Sequence, residues 1–166
     1  VSSAASDVYK RQATAAVALA AAPAAAAVAL AAAVGVPDAY AGELPVCFVQ
    51  LLPDAKASVE ELQQHAQDTI DERPAWPKMI HVVDTIPLTT VGKIFKPSLR
   101  CDAARHRITD LVQDEFGLSS ARVDIAAGGT RGMQVTVTVP ETDRAAVAEL
   151  ETALAAFLFE AHVQVE

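Results

Sequence analysis

The sequence is poor in positive charge, in aromatic side chains and in cysteine. It has 13 Lys and Arg residues against 21 Asp and Glu, so the net charge is −8 at pH 7. This acidic balance disfavours partners that are themselves anionic, and we therefore expect no nucleic acid and no anionic membrane surface as a partner. Aromatic residues make up 5%, and much of the 52% hydrophobic content is alanine, which buries little area. The length of 166 residues allows one good core or two small ones.

The two cysteines exclude a disulfide framework or a cysteine-based metal site. Cys47 lies in an apolar run and Cys101 in a predicted helix, with no CxxC pattern and no ligand spacing. This usage predicts free thiols, buried or semi-exposed, in a reducing compartment. The sequence therefore predicts a cytoplasmic protein and no metal ligand of its own.

The sequence does not begin with methionine, and a long stretch near its N-terminus carries no charge. Val1–Gln12 matches neither the composition nor the pattern of the residues after it, and we interpret it as a non-native leader on a fragment whose true N-terminal side is missing. Residues 13–36 carry no charge, which is also typical of a secretory signal or a membrane span. Alanine drives insertion weakly and Pro23 interrupts the run. The sequence therefore favours a short helix at Ala15–Ala22, a turn at Pro23 and a buried strand within Val28–Val36, and a secretory signal stays open as the alternative.

The centre of the chain alternates strand and helix patterns. The turn residues Gly35–Asp38 predict the end of the first strand, and the apolar run Val46–Leu52 predicts a second, buried one. Ser58 and Glu61 form a capping-box pattern ahead of an amphipathic helix that we expect to end at Arg73-Pro74. A third strand at Ile80–Val83 completes an α+β fold, a small three-stranded sheet flanked by helices.

The stretch Asp84–Arg100 separates the third strand from a helix predicted over Pro97–Glu115. Pro87 cannot donate to a sheet ladder and ends the strand. Gly92 allows a sharp bend and a close approach to a ligand, and Lys93 follows it at once. A lysine on such a constrained loop can offer a fixed positive charge to an anion. Local physics alone favours an ordinary surface turn with an incidental lysine, because glycine–lysine turns are common.

Two sequence blocks resemble the adenylate-forming superfamily, which includes AMP-forming acyl-CoA synthetases, luciferases and the adenylation domains of peptide synthetases. The first is Ile-Pro-Leu-Thr-x-x-Gly-Lys-Ile-x-Lys at residues 86–96, preceded by Pro77-Lys78. The second, at residues 34–49, is similar to the pattern VGxPDxxxGExPxAFV, including the pair Gly42-Glu43. The resemblance covers roughly Val28–Arg105, concerns the C-terminal domain of these enzymes and is strongest for acyl-CoA synthetases.

The resemblance implies a two-step ligase reaction, in which a carboxylate and ATP give an acyl-adenylate and the acyl group then passes to the thiol of CoA. It implies that Lys93 is catalytic and bridges carboxylate and phosphate oxygens, a role that a cation fills by offsetting repulsion between two anions. It also implies that Gly92 lets the loop enter the active site and that Thr89 and Thr90 shape it. Many members carry arginine at the position of Lys96. The lysine keeps the positive charge but cannot form the bidentate hydrogen bonds of arginine.

The resemblance further implies that most of the enzyme lies elsewhere. ATP and CoA as substrates, and Mg²⁺ with ATP, would be bound mainly by a missing N-terminal adenylation domain, the partner of this part, together with a small carboxylic acid such as a fatty acid. The isolated chain is then expected to be inactive. The basic cluster that contains Arg100 and Arg105 is interpreted as a solvated face, with contact to CoA phosphates as the weaker alternative.

The last part of the chain predicts a second pattern. Strands over Arg122–Ala126 and Met133–Val139 flank a glycine turn, followed by a helix over Glu141–Ala156 and a strand at His162–Val165. Together with the preceding helix this is an α-β-β-α-β order, a ferredoxin-like extension. The glycine turn is no phosphate loop, because Lys-Ser/Thr does not follow it. We predict a leader at 1–12, a main domain at 13–116 and a small lobe at 117–166 that packs on it or mediates homo-oligomer formation.

Two alternatives to an acyl-CoA synthetase stay open. One is an adenylation domain that loads a carrier protein, although no phosphopantetheine attachment pattern follows in the chain. The other is a stand-alone, non-catalytic α+β binding module that retains the lysine motif.

Overall fold

The computed structural model describes residues 10–16, 18–19 and 27–166. Residues 10–16 and 18–19 are helical, so the helix expected to begin at Ala15 already includes Lys10. This part of the prediction is wrong, because the last three residues of the predicted leader continue the helix. Ala15 and Leu19 are fully buried. The rest of the predicted leader and the predicted turn at Pro23 lie outside the described residues.

The first of two compact units contains residues up to Gly35 and Leu44–Leu99. Its sheet has three strands in the order β1-β2-β3: β1 at Val28–Asp38, β2 at Gly42–Leu51 and β3 at Met79–Val83. Strands β2 and β3 run parallel, with Cys47 opposite Ile80. The interior residues of β1 and β2 are buried in near-continuous runs, as the apolar sequence of both predicts.

The turn predicted at Gly35–Asp38 is wrong. Strand β1 continues through Pro37 to Asp38, and the turn follows at residues 39–41. The Asp38 carboxylate accepts from the backbone N–H groups of Tyr40 and Ala41 at 3.0 and 2.7 Å. These two bonds stabilise a turn that directly follows the aspartate, as Asp side chains commonly do. Glu43 consequently lies in β2 and not in a connecting loop.

Helix α1, at Val59–Thr69, begins at the predicted capping box. The Ser58 hydroxyl accepts from the Glu61 N–H at 3.1 Å, and the Glu61 carboxylate accepts from the Ser58 N–H at 2.9 Å. The helix ends four residues before the predicted Arg73, because Ile70 is extended and its carbonyl accepts from the Trp76 indole N–H at 2.8 Å. In a longer helix this carbonyl would face Pro74, which has no N–H to donate, so the indole supplies a partner that the helix could not. The apolar side of α1 packs on the sheet in a core that includes Leu62, Ala66, Val49 and Ile80.

The second unit contains Val36–Glu43 and Arg100–Glu166. Helix α2, at Lys96–Asp110, continues as a wider turn at Leu111–Glu115. After it come β4 at Arg122–Ala127, β5 at Met133–Val139, a 3₁₀ turn at Glu141–Ala146, helix α3 at Val147–Leu154 and β6 at Glu160–Val165. The sheet order is β4-β5-β6, antiparallel and then parallel.

The predicted fold class is confirmed: the chain is α+β, with the expected three-stranded sheet followed by the expected α-β-β-α-β order. Alternate residues of β5, among them Val135 and Val137, are fully buried and pack with Ile108 and Leu150 from the helices. The helix predicted over Glu141–Ala156 is wrong in its first six residues, which form the 3₁₀ turn. No side chain caps this end, and a first turn without a cap commonly tightens into 3₁₀ geometry.

Among the described residues, no helix has both the length and the apolar character needed to cross a membrane. The predicted domain boundaries at 12 and 116 stay predictions.

Candidate functional site

The loop between β3 and α2 begins at a buried anchor. Ile86 is 1% exposed, and its N–H donates to the Gln50 side chain, which belongs to β2, at 2.9 Å. Pro87 follows and cannot extend the strand. The base of the loop is therefore fixed to the sheet in two ways, by the buried Ile86 side chain and by the hydrogen bond from the Ile86 N–H to Gln50.

Beyond this anchor, the chain folds back on itself in a short antiparallel bridge. Leu88 pairs with Ile94, the Thr89 N–H donates to the Lys93 carbonyl at 2.6 Å, and the Phe95 N–H donates to the Pro87 carbonyl at 2.8 Å. A three-residue loop, Thr90-Val91-Gly92, closes the bridge. Loops of this length usually end with a residue in the left-handed conformation, and Gly92 has φ +77°.

Thr89 holds the two ends of this loop together. Its carbonyl accepts from the Gly92 N–H at 2.9 Å, and its hydroxyl accepts from the Lys93 N–H at 3.1 Å. A Cβ on Gly92 would meet nothing within 4 Å, so the glycine is required by its backbone conformation and not by lack of space. The backbone of Lys93 is therefore fixed by two bonds to Thr89.

The side chain of Lys93 is exposed, and among the residues that the structure describes we find no ion pair or hydrogen bond to its ammonium group. The same loop exposes three large apolar side chains, Val91 at 76%, Leu88 at 53% and Phe95 at 45%. A cation on a rigid turn with apolar neighbours open to solvent is typical of a surface that another molecule covers. Sequence reasoning missed these apolar residues, although their place between Pro87 and Pro97 was a usable signal.

The structure brings Thr89, Thr90, Gly92 and Lys93 into one turn. Thr90 is exposed, and in the described part of the chain its side chain forms no hydrogen bond, so the local ordering comes from Thr89. Lys96 lies outside the turn, at the first position of α2.

The arginines proposed for CoA phosphates are paired with carboxylates. Arg100 contacts Glu43 at 2.5 Å, and Arg105 contacts Asp102 at 2.8 Å. Glu43, which the sequence analysis named only as part of the Gly42-Glu43 pair, thus forms an ion pair. No pattern in the sequence could reveal that pair, because the two residues are 57 positions apart.

Neither cysteine is suited to nucleophilic chemistry. Both are free and buried, as predicted. Burial raises the pKa of the Cys47 thiol to about 12, and burial together with the nearby Asp102 carboxylate raises the pKa of Cys101. Both thiols are therefore protonated at neutral pH. The described part of the chain also contains no cluster of three or more His, Cys, Asp or Glu side chains that could hold a metal ion.

Comparison with protein families gives a match for the lysine loop and the sheet that carries it. Residues 18–93 match the family described as the AMP-binding enzyme C-terminal domain, and the match ends at Lys93. The lysine loop and the sheet that carries it are therefore similar to an AMP-binding enzyme C-terminal domain.

Curated relatives of this domain are ligases. The chain is 38% identical over 110 residues to the marinolic acid–CoA ligase of Pseudoalteromonas sp., a match that covers 66% of this chain and 17% of the relative. It is also 38% identical over 94 residues to the acetyl-coenzyme A synthetase of Pyrobaculum aerophilum, covering 54% of this chain and 14% of the relative. The chain thus spans less than a fifth of the length of the curated relatives that it matches.

Solved structures agree on the fold. A fatty acyl CoA synthetase from Mycobacterium tuberculosis superposes with a TM-score of 0.50 at 23% identity, over 57% of this chain and 18% of that protein. At this identity the likeness shows the fold of the AMP-binding C-terminal domain alone.

Proposed function

We propose that the chain is the lysine-bearing C-terminal part of an AMP-forming acyl-CoA synthetase and that Lys93 is its catalytic residue. The observation that carries the proposal is the position of Lys93, exposed on a turn that Thr89 and Gly92 hold rigid. The family match, which includes this residue, and two relatives named as CoA-forming synthetase or ligase support it.

Lys93 would act in the first of two half-reactions. A substrate carboxylate attacks the α-phosphorus of ATP, the bond to pyrophosphate breaks, and an acyl-adenylate forms. Both reacting groups are anionic, so an ammonium group that donates to oxygens of both lowers their repulsion in the transition state. The thiol of CoA then attacks the acyl carbon, AMP leaves and a thioester forms, a step in which this repulsion is absent. Lys93 is therefore needed in the first step and dispensable in the second.

The loop would act inside a site that another domain provides. An N-terminal adenylation domain would bind ATP, CoA and a small carboxylic acid, and Val91, Leu88 and Phe95 would be covered when Lys93 enters the site. Mg²⁺ would arrive with ATP, and we assign none of its ligands to this chain. Arg100 and Arg105 are the weaker part of the proposal, since CoA phosphates would have to compete with Glu43 and Asp102 for them.

Self-association through residues 117–166 is a separate part of the proposal. Light scattering on the purified chain tests it, and a monomeric mass across micromolar concentrations would contradict it.

The catalytic part is tested in a chimera in which this chain, from residue 18 onwards, replaces the C-terminal domain of the marinolic acid–CoA ligase. Adenylate formation is followed by ATP–pyrophosphate exchange, and thioester formation is followed separately from a supplied acyl-adenylate. We expect Lys93→Ala to slow the first reaction by about 10²–10³-fold, the usual cost of removing one positioned charge donor. The second reaction should keep most of its rate.

The matched control is Lys56→Ala, which removes another exposed lysine of the same unit and should change neither rate. Equal losses in both half-reactions for Lys93→Ala would contradict the assigned role. Replacing CoA by a carrier protein bearing a phosphopantetheine arm distinguishes the acceptor. Faster transfer to the carrier protein would favour the adenylation-domain alternative.

A further inference from the structure

The second unit contains a cavity outside the residues that match the family. Its volume is about 350 Å³, and it lies beside α3 and β6. Five of its lining side chains are apolar: Leu154, Ala155, Phe159, Ala161 and Val163. Arg131 and Glu151 also line it, and both are exposed, so their charges lie on the solvent side. Most of the lining residues are apolar, but the surface that they leave open is more polar than apolar, so the two charged side chains dominate what this cavity offers to a ligand.

The two charges at this cavity are available to a ligand. Five of the six arginines of the second unit form ion pairs with carboxylates, at distances up to 3.2 Å. Arg131 is the sixth, and within the described part of the chain neither its guanidinium group nor the Glu151 carboxylate has an ion pair or a side-chain hydrogen bond. The pattern sets Arg131 apart from every other arginine of its unit.

The turn that carries Arg131 is held in place by hydrogen bonds to Glu160, the first residue of β6. This turn connects β4 to β5, and the Thr130 N–H donates to the Glu160 carboxylate at 3.0 Å. The Thr130 hydroxyl donates to the same carboxylate. Gly129 has φ +72°, and a Cβ there would overlap the same carboxylate. Because its neighbours are fixed, the backbone of Arg131 is ordered before any ligand arrives, which lowers the entropy cost of binding.

We propose that this cavity binds a small zwitterion with an apolar side chain, of which an apolar α-amino acid is the simplest case. Arg131 would bind the ligand carboxylate through two parallel hydrogen bonds, and Glu151 would bind the ammonium group. The apolar side chain would lie on the surface formed by Leu154 and Phe159. A ligand that has only a carboxylate or only an amine pairs with one of the two side chains, Arg131 or Glu151, and the other side chain stays hydrated.

The test is a ¹⁵N-NMR titration of the full 166-residue chain with L-leucine. Two matched ligands accompany it: 4-methylpentanoate, which lacks the ammonium group, and 3-methylbutylamine, which lacks the carboxylate. We expect saturable shifts of amides near the cavity with leucine and binding at least about tenfold weaker with either analogue, the loss typical of one charge-assisted bond.

Two variants assign the contacts. Arg131→Gln and Glu151→Gln should each weaken leucine binding by about tenfold. Arg144→Gln is the control, because Arg144 is an exposed arginine of the same unit that pairs with Glu141 and does not line the cavity. Its affinity for leucine should equal that of the unmodified chain.

The proposal is overturned if leucine gives no saturable shift up to about 10 mM, where a millimolar site would be mostly filled. It is also overturned if 4-methylpentanoate binds as tightly as leucine, or if Arg131→Gln binds as tightly as Arg144→Gln. The comparison of ligands uses the unmodified chain, so the test holds even if a variant fails to fold. None of these results bears on Lys93, which belongs to the other unit.

Discussion

The two units of the chain differ in which apolar side chains they expose and in how their cations are paired with carboxylates. The first unit exposes a lysine together with Val91, Leu88 and Phe95 on one turn, and it contains most of the residues that match the family. In the second unit, five arginines are paired with carboxylates. Exposed ion pairs contribute only about 0–1 kcal/mol each, so this pairing does little for stability. Its effect is to leave few cations free for an anion, which makes Lys93 and Arg131 stand out.

The largest difference that we expect between the units concerns thiol reactivity, since each unit has one cysteine. Cys47 is fully buried, and its pKa of about 12 lies three units above the ordinary value of 9.0. Its thiolate is therefore about 10³-fold scarcer at a given pH. Cys101 is 9% exposed, and burial and the Asp102 carboxylate raise its pKa, an effect that Arg105 and Arg100 partly offset. In the folded chain, iodoacetamide should modify Cys101 first, as peptide mass spectrometry over time would show.

Both cysteines should react at similar rates in denaturant, which serves as the control. Faster modification of Cys47 in the folded chain would contradict the burial described for the first unit.

The next largest effect is expected from alanine at two glycines with similar backbone conformations. Gly92 and Gly129 have φ +77° and +72°, which costs an L-residue roughly 1–2 kcal/mol. A Cβ on Gly92 meets nothing within 4 Å, whereas one on Gly129 overlaps Glu160. Gly129→Ala should therefore lower the free energy of unfolding more than Gly92→Ala, as measured by urea titration. Equal losses would mean that the Glu160 side chain moves away without cost.

A smaller effect is expected at Thr89. Thr89→Val keeps the shape of the side chain and removes the hydroxyl that accepts from the Lys93 N–H. The loss should be about 0.5–1.5 kcal/mol, the net value of one hydrogen bond. Thr90→Val is the matched control and should be close to neutral, because Thr90 is exposed. Hydrogen exchange at the Lys93 amide should become faster only in the Thr89 variant. Equal exchange rates in both variants would contradict the role of the Thr89 hydroxyl.

The smallest effect is expected from pH in the second unit. Hydrogen bonds from the Thr130 hydroxyl, from Gln134 and from the Thr130 N–H lower the pKa of Glu160 below its ordinary 4.5. A carboxyl whose pKa is lowered on folding adds stability above its unfolded pKa, and this is lost as the pH falls through the folded pKa. The loss should thus begin below about pH 4.5. Glu160→Gln should remove this part of the pH dependence in urea titrations, and an unchanged pH profile would contradict it.

The sequence predicts local features well and long-range ones poorly. Strand β5 begins and ends at the predicted residues Met133 and Val139, since alternation and the flanking turn signals mark it clearly. The capping box of α1 is confirmed for the same reason, because its partners are three residues apart. The end of α1 was missed because it depends on Trp76, which contacts Ile70 only after the chain folds back.

The candidate site shows the same division. The motif pointed to Gly92 and Lys93, and the turn geometry follows from glycine at the loop's end. The motif implied that Thr89 shapes the loop, but it did not show that the Thr89 N–H and hydroxyl bond to the backbone of Lys93. The pairing of Arg100 with Glu43 had no sequence signal, because it joins β2 to α2 across 57 positions.

The strand order of the two sheets has a consequence for synthesis of the chain on the ribosome. The first sheet has all its strands once Val83 has been added, whereas the second waits for β6, which ends at Val165. At about 5–20 residues per second, the second sheet is completed roughly 4–16 s later. From the addition of Val139 until β6 is complete, β5 lacks a neighbour on one side, and a nascent strand with an open edge is prone to pair wrongly. The first unit can thus fold during translation, while the second is exposed to chaperones and proteases for longer.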